Sequence, residues 1–222
     1  MDLPTSIKSF LIVFLFLGVY QVAQAQDPTR FQQSVDQITT DNAGLQPSEN
    51  LIIFTGSSSI RGWKDIASYL PDKNILNHGF GGSQTSDLIH YADELILDYK
   101  PKKVFIYEGD NDISAGKSTE IIMKDINTLV GMINEASPRT EIFLISAKPS
   151  ISRWHLQEKY LDLNQKMKEY SQARDKVEYV DIWTTMLDET GKPKANIFLE
   201  DKLHMNKAGY DLWAEVIKDY VD

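Results

Sequence analysis

The chain of 222 residues carries 23 Lys and Arg against 32 Asp and Glu, a formal net charge of −9, and no cysteine. An acidic surface argues against nucleic acid or anionic membranes as main partners, and no disulfide can staple the fold, which must rest on its core. The length suits one well-filled core and is short for two ordinary domains.

The chain opens on a leader pattern. Lys8 precedes an apolar run, Phe10 to Tyr20, and Ala23-Gln24-Ala25 supplies the small-x-small motif of a signal-peptidase site. That run has 11 residues, fewer than the roughly 17–25 of a spanning helix, and no cysteine follows it to take a lipid. Residues 1–25 are expected to be an export signal and residues 26–222 a single domain. The mature protein is then periplasmic or extracellular, with no stable membrane insertion.

After a polar lead-in, short β-branched runs alternate with longer helical stretches. The spacing predicts strands over Leu51–Thr55, Asn74–Asn77, Lys103–Tyr107, Glu141–Ser146 and Val177–Ile182. It predicts helices over Ser83–Tyr99, Thr119–Ala136, His155–Ala173 and Lys207–Tyr220. Within Thr119–Ala136, the run Thr119-Glu120-Ile121-Ile122 followed by Ile126, Leu129, Val130 and Ile133 recurs at helical spacing and reads as a core face. Strand followed by helix, repeated, argues for an α/β protein: a three-layer α/β/α sandwich around a parallel sheet of about five strands.

In open α/β sheets ligands bind outside the carboxyl ends of the strands. The first strand leads into Gly56-Ser57-Ser58-Ser59 and the second into His78-Gly79-Phe80-Gly81-Gly82-Ser83. The third leads into Glu108-Gly109-Asp110-Asn111-Asp112, and the fourth into Lys148-Pro149-Ser150 with Arg153-Trp154-His155 close behind. The fifth precedes a long connection ending in Leu199–Tyr210, "LEDKLHMNKAGY". Hydroxyls, glycines, an amide, acids and a histidine all fall on one rim.

A serine becomes a useful nucleophile when an imidazole, itself oriented by a carboxylate, takes its proton. Of the four histidines, His78 closes a strand, His90 falls mid-helix and His155 opens a helix, where structural or solvated roles are common. His204 has Asp201 three residues before it, in a loop ahead of the last helix. An oxyanion needs donors aimed at it in advance, and Gly82 and Asn111 stand where they could supply them. Each also reads as plain turn chemistry.

The order of these blocks carries more than any one of them. G-x-S after the first strand, N-x-G-x-G-G after the second, G-x-N-D after the third and D-x-x-H before the last helix together resemble the SGNH family, the GDSL-type esterases and lipases. The resemblance runs from about Ile52 to Tyr210 and extends to proteins similar to platelet-activating-factor acetylhydrolase catalytic subunits. It implies a flavodoxin-like α/β/α fold with Ser58, Asp201 and His204 as catalytic triad. The backbone N–H groups of Ser58 and Gly82 and the Asn111 side chain would then meet the oxyanion. No metal or organic cofactor is implied. The sequence departs from the family in one supporting position, where Ser57 replaces the usual Asp.

Competing motifs fail where they can be checked. Gln84 occupies the last glycine position of a dinucleotide fingerprint, Ile60 that of an α/β-hydrolase elbow, and no G-K-[ST] phosphate loop occurs. Glu108, Asp110 and Asp112 lack the spacing of a calcium loop and read as a capped turn. The expected function is hydrolysis of short-acyl esters, acetyl foremost, on a small neutral ester or an acetylated carbohydrate. A glycan-binding module without turnover and an esterase of lipid esters are the alternatives. Trp63, Phe80 and Trp154 suit sugar stacking or, equally, packing.

Overall fold

A computed structural model describes residues 27–43 and 50–222. The expected export signal, residues 1–25, lies outside the described residues. The chain divides into a leading unit, Met1–Gln33, and a main unit, Ser34–Asp222. In the leading unit Pro28–Phe31 form a 3₁₀ turn, in which the Thr29 N–H donates to the Asp27 side chain at 2.9 Å, ahead of the first α-helical residues, Gln32 and Gln33. Among the described residues no helix is long and apolar enough to cross a membrane.

The main unit is built on five parallel strands: β1 (Leu51–Gly56), β2 (Asn74–Gly79), β3 (Lys103–Tyr107), β4 (Glu141–Ile145) and β5 (Val177–Val180), in the order β2-β1-β3-β4-β5. Every residue of β1 and β3 is buried, as expected for parallel strands covered on both faces. Phe54, Phe105 and Phe143 are partners in register on β1, β3 and β4. Their rings stack at 4.4 and 4.5 Å, forming an aromatic ladder beneath the rim.

Helices cover the sheet: α1 (Gln32–Asn42), α2 (Ser58–Arg61), α3 (Ile66–Tyr69), α4 (Thr85–His90), α5 (Ala92–Leu95), α6 (Asp110–Ser114), α7 (Thr119–Ala136), α8 (Gln157–Gln172) and α9 (Lys207–Ile217). The stripe expected on Thr119–Ala136 is the buried face of α7 from Ile122 to Ile133, while Ile121, one helical step off that face, is exposed. The helix expected over Ser83–Tyr99 is instead broken at Tyr91 and Ile96, whose backbones leave the helical region. Tertiary packing explains the break. Leu88, Tyr91, Ala92, Leu95 and Ile96 are all buried at the spacing of one helical face, so the apolar pattern continues across the break and the cause lies in the backbone's partners. The Leu95 carbonyl accepts from His78 Nδ1 at 2.6 Å, and a side chain inserted in the ladder is a standard cause of a kink.

The strand order positions the site. The chain leaves β1 for β2 on one side, then crosses back to β3 on the other, so the carboxyl end of β1 is the point where the winding reverses. Gly56 pairs with Gly79 of β2 and Tyr107 of β3. Ser57 N–H donates to Tyr107 O at 3.1 Å and Phe80 N–H to Gly56 O at 2.8 Å. Three of the rim segments are thus tied together within one residue of Gly56.

Candidate active site

Gly56 turns the chain from strand to helix with φ +122°, and a Cβ there would stand 2.1 Å from the Tyr107 carbonyl oxygen. Only glycine fits. Of the three hydroxyls that follow, Ser57 and Ser59 are buried, while Ser58 is half-exposed and opens the single-turn helix α2. The Ser58 backbone N–H, first in that helix, has no intrahelical acceptor. From β2, Asn77 Nδ2 donates to Ile60 O at 2.8 Å and Trp63 O at 3.0 Å, which holds α2 in place under Ser58.

Ser58 Oγ lies 3.0 Å from His204 Nε2, and His204 Nδ1 lies 2.5 Å from Asp201 Oδ2. The carboxylate can only accept, so Nδ1 carries the ring proton and Nε2 offers its lone pair to the Ser58 hydroxyl. Asp201 Oδ1 accepts the N–H groups of Leu203 and His204, each at 2.9 Å. Desolvation alone would raise the Asp201 carboxyl; hydrogen bonds from the His204 ring and from those two N–H groups outweigh it and hold the acid at about 2. Asp201 is therefore ionised across the working range and fixes both the tautomer and the tilt of the imidazole.

Gly82 is exposed at φ +86°, with nothing within 4 Å of a would-be Cβ, so glycine is needed for the backbone conformation and not for space. Asn111, the second residue of α6, donates from Nδ2 to Ser83 O at 2.8 Å. An amide nitrogen has two hydrogens, and one remains.

Behind Asn111 stands a buried ionic cluster that spacing alone did not suggest. Asp110 Oδ1 pairs with Arg153 at 2.6 Å and with the Tyr160 hydroxyl, and Oδ2 accepts from Tyr107 OH at 3.0 Å and Lys148 Nζ at 3.4 Å. Burial would raise this acid; Lys148, Arg153 and Tyr160 pull it to about 2. Asp112 accepts from Thr85 N–H at 3.1 Å and from Lys117 at 2.9 Å. Glu108 faces Ser83 Oγ at 2.6 Å. The three acids read as one turn thus face three different sets of partners. Arg153 stands in the rim segment after β4, but no local pattern links it to a residue 42 positions earlier.

The aromatic expectations need correction. Trp63 and Phe80 are fully buried. Trp63 packs against Tyr210, Trp213 and Phe54 at 5.4, 6.0 and 6.2 Å, and Phe80 against Tyr91 at 6.1 Å. Neither presents a face to a sugar, because burying a large ring in the core gains more than leaving it in water. Trp154 is partly exposed and stacks on Trp183 at 5.9 Å. Its loop meets the Asp201–His204 loop, since Ser152 N–H donates to Lys202 O at 3.1 Å.

The family model of GDSL-like lipases and acylhydrolases matches residues 39–212. The chain belongs to this family. It is an ester hydrolase, on a five-stranded parallel α/β fold. Solved structures repeat that fold. A protein from Streptococcus pneumonia named for platelet activating factor is 23% identical with a TM-score of 0.78, over 93% of this chain and 99% of that one. A GDSL-like lipase from Bacteroides thetaiotaomicron is 20% identical with a TM-score of 0.74, over 84% of this hydrolase and 96% of that chain. A catalytic mutant of an acetylxylan esterase from Geobacillus stearothermophilus is 16% identical with a TM-score of 0.60, over 79% and 95%. No curated protein matches the hydrolase by sequence.

Proposed function

We propose that the protein is an exported serine esterase that removes short acyl groups, acetyl foremost, from carbohydrate. In this reading Ser58 Oγ attacks the ester carbonyl while His204 Nε2 takes the hydroxyl proton. The tetrahedral oxyanion is met by the N–H groups of Ser58 and Gly82 and by the free hydrogen of the Asn111 amide. Its collapse expels the alcohol, which leaves with the proton held by His204, and acyl-Ser58 remains. Water, deprotonated by His204, then attacks the acyl carbon; the acid departs and Ser58 recovers its proton.

The observation that carries this reading is the 3.0 Å approach of Ser58 Oγ to His204 Nε2, with Asp201 hydrogen-bonded to the other ring nitrogen. Preference for a sugar ester is supported by the part-exposed Trp154 beside the Asp201–His204 loop and by the acetylxylan esterase among proteins of like fold. Short connections after most strands leave little chain for a lid over a long acyl tail. Export is inferred from the leader pattern of residues 1–25.

A panel of acetylated sugars set against p-nitrophenyl esters of increasing chain length tests the proposal. Acetyl esters should be turned over fastest, with kcat/KM highest for acetylated sugars and lost in Ser58→Ala. Preference for long-chain esters would replace the carbohydrate reading with a lipid one, and equal turnover in Ser58→Ala would end the serine mechanism.

A further inference from the structure

Glu108 has no place in the mechanism above, yet it is 1% exposed at the end of β3 and faces the loop that carries Gly82. Its Oε1 lies 2.6 Å from Ser83 Oγ, and its Oε2 has no hydrogen-bond partner. Ser83, also fully buried, is a junction. Its hydroxyl lies 3.2 Å from Phe80 O, its carbonyl accepts the Asn111 amide at 2.8 Å, and its peptide nitrogen follows Gly82 directly.

Hydrogen counting gives the direction of this chain. A hydroxyl has one hydrogen, and Ser83 Oγ has two oxygens in reach. Were Glu108 an anion, both neighbours would compete for that hydrogen, and a buried charge would keep one oxygen bare, a costly state. Burial, reinforced by nearby Asp112, pushes Glu108 well above the usual carboxylate range. As a neutral acid it donates from Oε1 to Ser83 Oγ, which passes its own hydrogen to Phe80 O. Every hydrogen is then used, and the bare Oε2 is an uncharged carbonyl oxygen.

We propose that Glu108, acting through Ser83, is the positioning residue for two oxyanion donors at once: the Gly82 N–H, through the peptide that joins it to Ser83, and the Asn111 amide, through the Ser83 carbonyl. Gly82 itself is exposed and touches nothing through a side chain, so the loop depends on its two anchored neighbours. Phe80 N–H is tied to Gly56 O on one side, and Ser83 is tied to Glu108 on the other. This inference rests on the proposed roles of Ser58, Gly82 and Asn111.

The test measures kcat and KM for p-nitrophenyl acetate, and inhibition by a short-chain trifluoromethyl ketone, whose hydrated or Ser58-bound form carries the tetrahedral oxyanion. Ser83→Ala, which removes one small hydroxyl, should lower kcat by about 10- to 100-fold, less than outright loss of a donor. KM should move little, and ketone binding should weaken in step with kcat. Glu108→Gln keeps a neutral donor at the same place and should stay within about threefold of wild type, while Glu108→Ala should resemble Ser83→Ala. Ser58→Ala and Asn111→Ala are measured alongside. If those two lose turnover while Ser83→Ala keeps wild-type kcat, the positioning role alone is overturned. Glu108→Gln falling as far as Glu108→Ala also overturns it, since a retained neutral donor then gives no rescue. If Ser58→Ala keeps wild-type turnover, the reading beneath it falls as well.

Discussion

Arg153 donates to Asn111 Oδ1 at 3.2 Å, which settles which end of that amide faces Ser83. A guanidinium can only donate, so the oxygen must lie on its side and the NH₂ group on the other. Arg153 is in turn fixed by Asp110, at 2.6 Å to the carboxylate. The orientation of one side chain at the rim is thus decided by an ion pair beneath it.

From this geometry Asn111→Ala should lower kcat by about 10²–10³-fold, the scale of losing one oxyanion donor. Asn111→Asp should do at least as badly. The acid can still pair with Arg153 but brings a negative charge where the oxyanion forms. Steady-state kinetics on a chromogenic acetyl ester check both, and a change confined to KM would reassign Asn111 to ground-state binding.

Ser58→Ala should reduce turnover of the same ester by roughly 10³-fold or more. Asp201→Asn should also be severe, because the amide no longer forces the Nδ1–H tautomer on His204. Asp201→Asn kinetics equal to wild type would exclude that role for the carboxylate.

Stability should respond to acid in two stages. His78 is fully buried between Asn42 Nδ2 and the Leu95 carbonyl, at 3.0 and 2.6 Å, and desolvation lowers its proton affinity. The unfolded chain binds a proton that the folded chain refuses, so this contribution is complete above about pH 6.5 and declines below it. Asp110 behaves in the usual acid sense. Its contribution is present above about pH 4 and lost as pH falls toward about 2. A neutral Glu108 contributes in the opposite sense, since the folded chain keeps a proton that the unfolded chain releases above the ordinary carboxylate range. Urea midpoints are therefore taken in a Glu108→Gln background, where they should fall first below neutrality and again in strong acid; a midpoint flat from about pH 8 to about pH 5 in that background would contradict a neutral buried His78.

Gly56→Ala should destabilise the fold by roughly 2–4 kcal/mol, combining a left-handed backbone with a clash. The added methyl would stand 2.1 Å from Tyr107 O, an atom that already holds the Ser57 N–H. Thermal and urea unfolding measure the cost. Wild-type stability in this variant would show that the β1–β3 junction can relax.

Trp154→Ala should raise KM for acetylated oligosaccharides severalfold while leaving p-nitrophenyl acetate kinetics close to wild type. Stacking on an aromatic face is worth on the order of 1 kcal/mol beyond simple burial, and a small aryl ester has no sugar ring to use it. Equal effects on both substrates would make Trp154 a packing residue that supports Trp183.

Strand and helix periods, and the residues that end each strand, are local properties, so the linear chain sufficed to mark five strands, the α7 stripe and the rim on which Ser58, Gly82, Asn111 and His204 fall. It also sufficed to single out the D-x-x-H loop, because Asp201 and His204 are close in the chain. Burial and long-range pairing are not local. Which serine is free, Trp63 and Phe80 turned inward, the helix broken at Tyr91, and Glu108 and Arg153 brought against Ser83 and Asn111 depended on how the sheet winds around β1. The physical reason is that residue type sets what a side chain can bond, while only the packed fold sets which partner it meets and how much water remains around them.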